Sequence, residues 1–404
     1  MRIAVLGAGI MGSSLALLLA RRRAEVTIFE SAPSPMMGAS RWNEGKIHLG
    51  YVYSGDPTLA SARHVLSGGV SFAPLVSDIL ATDIRPFATT EDDLFILHRD
   101  SVVEETEFRD FLKKLDEIAG SHPGAKDYFR DLSGFSSNKL SPSEFKSVAA
   151  AENTVAAFRV PERSVRTETI ADLYTAALTN SKNISVATGH TVIDATPEDT
   201  DNGFWRVTCE TSDGQKTYEG FDCVINCLWH GRMAIDAKVG ILPSGTWSNR
   251  YRVSLFAETN KVVNTQSAFV AVGAFGDVKN YDGKSFYLSW YPAGLLVDSI
   301  DILPNTPDPL TPEQKYSITQ KVRAGLSTVL VGADEIFDAA EDIRVEGGFV
   351  FAQGRGSIAQ KSSTLHSRNK FGITRKGRYY SIDTGKYSSA PELAFKLAQE
   401  LMGN

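Results

Sequence analysis

Cysteine is scarce: Cys209, Cys223 and Cys227 are the only three in 404 residues. An odd, sparse set without metal spacing excludes a disulfide framework and favours a reducing, cytoplasmic setting. No Lys/Arg block extends beyond Arg21-Arg22-Arg23, and the formal net charge is -6, so there is no basic footprint for nucleic acid. The triplet suits a helix C-terminus, where cations complement the dipole. No run reaches the roughly 18 apolar residues of a membrane span. The apolar opening, residues 1–20, is broken by Gly7, Gly9 and Gly12 and runs into the Arg triplet instead of a cleavage site, which argues against a secretory leader. Proline is also sparse, 16 against 33 glycines, and 22% charged with 42% hydrophobic residues is the composition of a globular chain rather than a disordered one. The length suits two or three domains.

What is present begins at once. Residues 2–6 (RIAVL) form a short apolar run suited to a buried parallel strand, residues 13–22 read as a helix, and residues 26–30 (VTIFE) as a second strand. Between the first strand and the helix lies G-x-G-x-x-G at Gly7, Gly9 and Gly12, with Ile10 and Met11 inside it. Gly7 permits the tight turn, Gly9 the approach of a pyrophosphate, and Gly12 close helix-to-strand contact. Backbone N–H groups of Ile10 and Met11 open the helix, where the dipole favours an anion. Glu30 ends the second strand and can accept both ribose hydroxyls of an adenosine while repelling a 2′-phosphate, which disfavours NADP.

That unit binds a dinucleotide without choosing between NAD and FAD. The stretch Gly38-Ala39-Ser40-Arg41-Trp42-Asn43-Glu44-Gly45-Lys46-Ile47-His48 goes further. It resembles the G-[AS]-S-x-x-N-x-G segment of FAD oxidoreductases of the D-amino-acid oxidase and glycine oxidase superfamily. The resemblance implies FAD, with Ser40 and Arg41 at phosphate, Asn43 at the ribityl chain, and Gly45, Lys46 and Ile47 at the ring. Glu44 and Lys46 depart from the family pattern; they read either as charges that serve the substrate or as a solvated loop pair. His48 reads as a base near the ring or as a structural imidazole.

The resemblance also implies the fold: α/β, a Rossmann-like FAD-binding domain with an interleaved antiparallel-sheet substrate domain. Residues 1–90, 151–235 and 345–404 are assigned to the first, and 91–150 and 236–344 to the second. Residues 92–98 read as a strand, 104–118 as a helix, 121–143 as loops and 169–180 as a helix. Residues 184–194 read as a strand pair, in which Val192 falls where the family contacts adenine through its backbone. Asp213-Gly214 marks a hairpin, and residues 221–228 a central strand with Cys223 and Cys227 as core. Strands at 251–258, 267–274 and 285–291 fit a pocket wall. In the resembling oxidases Arg and Tyr on this wall hold a substrate carboxylate, because a guanidinium pairs with it bidentately. Candidates are Arg250, Arg252, Tyr287 and Tyr291; alternation puts the two Arg on one face of their strand and the two Tyr on one face of theirs. A Thr311-Pro312-Glu313 cap opens a helix over 311–330.

Near the end, residues 342–353 read as a strand, and a second segment, residues 379–391, leads into a helix over 392–402. Its Thr-Gly pair and Ala-Pro resemble the family's closing turn, which clasps the flavin's N1 and C2=O edge, so that Gly385, Lys386, Tyr387 and Ser388 would meet the cofactor. Lys386 is the leading candidate for tuning the flavin. Arg355, His366 and Arg368 are weaker pocket candidates, and His48 and Cys227 are possible points of covalent attachment. The catalytic expectation therefore centres on His48, Lys46, Arg252 and Tyr287. The expected activity is oxidation of a C–N bond in a small, possibly carboxylate-bearing amine or amino acid, with oxygen or another acceptor taking the electrons. Oxidation of a 2-hydroxy acid and flavin monooxygenation are the alternatives, the latter weakened because Gly276-Asp277 continues as Val278-Lys279-Asn280 without proline. A non-catalytic FAD-fold binding protein and a plain NAD dehydrogenase are the remaining rivals.

Overall fold

The computed structural model describes residues 1–198 and 203–403. One sheet runs in the order Gly372–Lys376, Tyr379–Asp383, Cys223–Asn226, Arg2–Leu6, Glu25–Phe29, Ile184–Ala187. All its pairings are parallel except the first, at the edge. Alternation along its strands decides what each face meets. Ile3 and Val5 enter the core with helices Ile10–Arg21, Ala60–Leu80, Thr167–Thr179 and Ala390–Met402, whereas Ala4 and Leu6 pack with Trp205, Val207 and Phe221. Those last three belong to a three-stranded antiparallel sheet of Thr191–Pro197, Trp205–Thr211 and Gly214–Phe221 on the opposite face.

The second large sheet has nine strands, in the order Leu295–Ser299, Trp247–Thr259, Ser285–Trp290, Gly276–Asn280, Ala268–Ala271, Asp93–His98, Thr154–Val160, Asn138–Lys139, with Ala340–Gln353 paired along Trp247–Thr259. Helices Pro312–Ser327 and Ala333–Ala339 contribute Val322, Leu326 and Ile336 to the core on one of its faces. The sheet is mixed rather than purely antiparallel, because Ala268–Ala271 runs parallel to Asp93–His98.

Several sequence expectations shift. Thr154–Val160 and Ala340–Gln353 hydrogen-bond within the second sheet, although residues 151–235 and 345–404 are assigned to the dinucleotide part by sequence. Residues 184–194 do not form one strand pair; Ile184–Ala187 joins the parallel sheet and Thr191–Pro197 the small one. The loop expected over 121–143 reaches a helix, Pro142–Val148, opened by a Ser141–Glu144 capping box. The helix Ala60–Leu80 was not anticipated, and its Gly68-Gly69 and Pro74 interrupt any helical reading. The strand expected to carry Tyr291 stops at Trp290, and Tyr291 opens a short helical turn instead.

Candidate active site

At the dinucleotide end each glycine is held to its role by contact. Gly7 sits at φ +94°, and a Cβ at Gly12 would lie 2.0 Å from the Gly7 carbonyl oxygen. A Cβ at Gly9 would come 3.0 Å from Ser40 Oγ, and that hydroxyl accepts from the Ile10 N–H at 2.9 Å, at the mouth of the helix. Glu30 is already oriented: Oε2 accepts from Ala8 N at 2.8 Å and Oε1 from Ala32 N at 2.9 Å. Oε1 also accepts from Ser31 Oγ at 3.3 Å, so Oε2 is the oxygen that keeps a lone pair for a hydroxyl. His190 N donates to the Glu30 carbonyl at 2.8 Å, which places Val192 two residues beyond the carboxylate's own strand end.

The two later segments are brought together by the helix Ala60–Leu80. A Cβ at Gly69 would lie 2.0 Å from the His48 carbonyl oxygen, and one at Gly68 2.8 Å from Ser389 Cα. Glycine in a helix interior costs about 1 kcal/mol relative to alanine, and here the missing side chains let one helix touch the backbone of both segments. Within the first segment Asn43 braces its own loop, donating to Ala39 O at 2.8 Å and accepting from Gly45 N at 2.8 Å. Arg41 pairs with Asp172, while its Nε is buried without a partner. Gly45, at φ +65°, packs so tightly that a Cβ would meet Val165 O at 1.8 Å. In the second segment Gly385, at φ +61°, leaves no room for a Cβ against Phe371. Asp383 Oδ1 accepts from Gly385 N at 2.9 Å and its other oxygen lies 3.6 Å from Arg232.

Lys46 turns away from this meeting point. The pairing Lys46–Ser164 and Ile47–Arg163 sends alternate side chains to opposite sides, and Lys46 enters the second sheet. Its Nζ lies 2.7 Å from Asp93 Oδ2, 3.7 Å from Glu162 Oε2, and 4.6 Å from the Phe95 ring centroid. Lys279 reaches the same Asp93 oxygen at 2.7 Å. Glu162 Oε1 accepts from Leu49 N at 2.7 Å and Gly50 N at 3.1 Å. Asp277, bonded by Ser289, adds a third acid. Burial would discharge Lys46, but Asp93 and Glu162 outweigh it and hold the ammonium above its ordinary range. Burial raises Glu162 and Asp277 and lowers Lys279, against the pull of their partners. The sequence-based place for Lys46 at the ring is therefore corrected: its charge is consumed inside the protein.

A second set of charges gathers where His48 and Lys386 meet the second sheet. The Lys386 Nζ lies 5.7 Å from the Tyr53 ring centroid, and the His48 and Tyr53 rings are 6.3 Å apart. His48 Nε2 is 3.7 Å from Glu44 Oε1, and its Nδ1 is buried without a partner, as is the Tyr53 hydroxyl. Arg250, 4% exposed, donates to the Tyr291 hydroxyl at 3.0 Å, and the Arg252 guanidinium lies 4.6 Å from the Tyr291 ring centroid. Tyr287 shares a 2.8 Å hydrogen bond with Ser254. The two Arg and the two Tyr thus meet on one side of the sheet, because the register Phe256–Tyr287 puts Tyr287 on the face of Arg250 and Arg252. Arg368, which donates to Phe351 O at 2.8 Å, completes the group and lines a small cavity with Asp383 and Gly385.

The electrostatics follow from burial and neighbours. Burial and the Lys386 charge, only partly offset by Glu44, push His48 down to about 3. It is a neutral imidazole and a weak base at ordinary pH. Burial, set back by Glu44 and reinforced by Arg368 and Arg250, pushes Lys386 down to about 8. Burial would raise Glu44, but His48 and Lys386 outweigh it and keep the carboxylate ionised.

The chain matches the family described as FAD dependent oxidoreductase over residues 2–324. It belongs to that family, DAO. No curated protein matches it in sequence. Among solved structures, the glycine oxidase of Geobacillus kaustophilus is similar at 14% identity and a TM-score of 0.68, covering 98% of this chain and 94% of that one. The L-α-glycerophosphate oxidase of Mycoplasma pneumoniae, with FAD bound, gives 13% identity and 0.62, covering 99% and 94%. The L-amino acid deaminase of Proteus myxofaciens gives 13% and 0.63, covering 99% and 90%. At such identities the likeness establishes the fold.

As a DAO-family oxidoreductase the protein is an enzyme whose cofactor is FAD. Its residues fit that group: Glu30 and the glycine turn for the adenosine and pyrophosphate, and beyond them buried, unpartnered polar atoms at His48, Tyr53, Ser388 and Ser389 where the two later segments meet. Tyr53 has no place among the sequence candidates; its Gly-Tyr-Val-Tyr surroundings read only as apolar. Arg368 ranks higher in the structure than in the sequence. Arg355 is exposed, and its backbone binds Thr364, so it stands apart from the other cations. Cys227 lies beside Gly7, and burial holds its thiol well above the ordinary range. Gly276-Asp277, the fragment weighed for a monooxygenase, is a strand of the second sheet with Asp277 in the compensated group.

Proposed function

We propose that this DAO-family enzyme oxidises the C–N bond of a small amino-acid-like amine, with the substrate carboxylate received by Arg250 and Tyr291. The observation that carries the reading is the part-buried hydrogen bond from Arg250, on the strand Trp247–Thr259, to Tyr291, in the neighbourhood of Lys386 and Glu44. FAD supplies the hydride acceptor when bound. Arg250 offers a guanidinium whose Nε has no internal partner, and Tyr291 holds it in place. Glu44, ionised, favours a cationic amine at the other end of the substrate. His48, neutral, offers one unpartnered ring nitrogen as a hydrogen-bond partner.

The test is anaerobic mixing of the FAD-loaded protein with amino acids, N-methyl amines, amino sugars and 2-hydroxy acids while flavin absorbance is followed. Bleaching by an amine bearing a carboxylate supports the reading. Bleaching by 2-hydroxy acids alone overturns the C–N assignment in favour of alcohol oxidation, the activity named for the glycerophosphate oxidase of the same fold.

A further inference from the structure

The cations around the substrate position outnumber what a single carboxylate requires. Arg250, Arg252, Arg368 and Lys386 gather there, and no carboxylate of the described residues lies within ion-pair distance of any of them. Glu44 is the acid facing Lys386, and the two offset each other. Asp383, beside Arg368, is engaged by Arg232 and by Gly385 N. Asp277 is bonded by Ser289 within the other charge group. Three guanidiniums are left.

Their donors are also left over. Nε of Arg250 and Nε of Arg252 are both buried without a partner, and Arg368 spends one N–H on Phe351 O out of the five a guanidinium carries. One carboxylate is satisfied bidentately by one guanidinium. Arg250 is buried and Arg252 and Arg368 are half-buried; a cation held partly out of water without a counter-charge is costly, and a fold keeps it where a ligand of opposite sign completes it. Tyr291 holds the arrangement open, with its hydroxyl on Arg250 and its ring under Arg252, so the two heads are separated by an aromatic side and cannot share one small anion face to face.

We infer that the substrate carries, besides the carboxylate at Arg250, a second anionic group, a carboxylate or a phosphate, received by Arg252 and Arg368. This rests on the proposed substrate position at Arg250 and Tyr291, though not on which bond is oxidised.

The test is titration of the FAD-loaded protein with non-oxidisable probes of similar length, namely butyrate, succinate and 3-phosphonopropionate, with the flavin absorbance change giving Kd. At least one dianion is expected to bind roughly tenfold or more tighter than butyrate, with a steeper loss on adding salt. Preference for succinate assigns a second carboxylate, and preference for 3-phosphonopropionate a phosphate. Arg252→Met and Arg368→Met, each checked for retained FAD and melting temperature, are expected to abolish that preference while butyrate binding persists. Equal binding of all three probes overturns the inference, as does unchanged dianion preference in both folded variants. If amines bleach the flavin but dianions show no advantage, the second anion alone is lost. If only 2-hydroxy acids bleach it while dianions keep their advantage, the C–N reading alone is lost.

Discussion

Two sets of charges lie a few residues apart along the same segment, a fully buried one reached by Lys46 and a half-buried one reached by His48 and Glu44. In the first, two lysines meet three acids, Asp93 holds both ammonium groups at 2.7 Å, and Glu162 accepts backbone N–H groups of residues 49 and 50. In the second, three arginines and Lys386 face one ionised acid, and polar atoms of Arg250, Arg252, His48 and Tyr53 lack partners. The first set balances its charges internally, although Asp93 Oδ1 and Glu162 Oε2 have no hydrogen-bond partner. The second is unfinished without a ligand. Burial alone therefore does not mark a functional charge; the balance of partners does.

The largest expected effect comes from unbalancing the closed set. Asp93→Ala leaves Lys46 and Lys279 facing each other across a fully buried site, and breaking such a pair from one side costs about 3–5 kcal/mol. Denaturant unfolding is expected to show a loss of that size. Adding Lys279→Met to it is expected to recover part of the loss, since one uncompensated cation is gone. A loss below about 1 kcal/mol in the single variant would mean that the first set is as open as the second.

The same substitution logic applied to the second set predicts the opposite division between stability and function. Arg250→Met removes a cation that has no internal acid, so the melting temperature is expected to hold or rise. The carboxylate loses its partner, which costs about 2–5 kcal/mol of binding, and kcat/KM for the true substrate is expected to fall roughly 10²–10³-fold. Arg250→Lys keeps the charge but loses the bidentate fork and is expected to recover only part.

Legibility in the sequence divides along the same line. Gly7, Gly9, Gly12 and Glu30 act within one strand-turn-helix unit, so spacing alone places them, and Glu30 indeed presents its carboxylate at the turn. The position of Lys46 in the segment points it at the cofactor. Which way its side chain points depends on pairing with Ser164, a partner more than a hundred residues distant, and nothing local reports that. Tyr53 and Arg368 were undervalued for the same reason, because the residues that bury them come from other segments. The helix Ala60–Leu80 hides behind Gly68-Gly69, yet those glycines are what let it touch His48 and Ser389. The residues hardest to read were those defined by long-range contact.

A smaller effect separates Lys386 from the arginines beside it. Its pKa is pushed down to about 8, against about 10.4 for an unperturbed lysine, whereas an arginine stays charged throughout. The cation is present below pH 8 and lost as pH rises through it. The profile of kcat/KM, which reports groups of the free enzyme, is therefore expected to decline above about pH 8, by up to roughly tenfold if the ammonium contributes about 1.4 kcal/mol to anion capture. Lys386→Met is expected to lower the plateau and remove that limb, whereas Lys386→Arg keeps the plateau into alkaline solution. A limb that persists in Lys386→Met would assign it to another group.

The least conspicuous expectation concerns His48, and it joins the members of the open set to one another. An ordinary imidazole titrates near 6.5, but His48 is held down to about 3 by burial first and by the Lys386 charge second. Protonating it would place another cation among Arg250, Arg368 and Lys386, so it stays neutral between pH 5 and 8. The acid side of the kcat/KM profile should then be flat over that range in the native protein, and His48→Asn should leave its shape unchanged while lowering its height by a few fold. In Lys386→Met the largest charge depressing the imidazole is gone and Glu44 is left facing His48, so the imidazole pKa should rise. A new acid limb that appears in Lys386→Met and vanishes in the double variant with His48→Asn would show the two residues sharing one field. An acid limb near pH 6.5 already present in the native enzyme and lost in His48→Asn would instead make His48 an ordinary titrating base, and the open set less cationic than its partners imply.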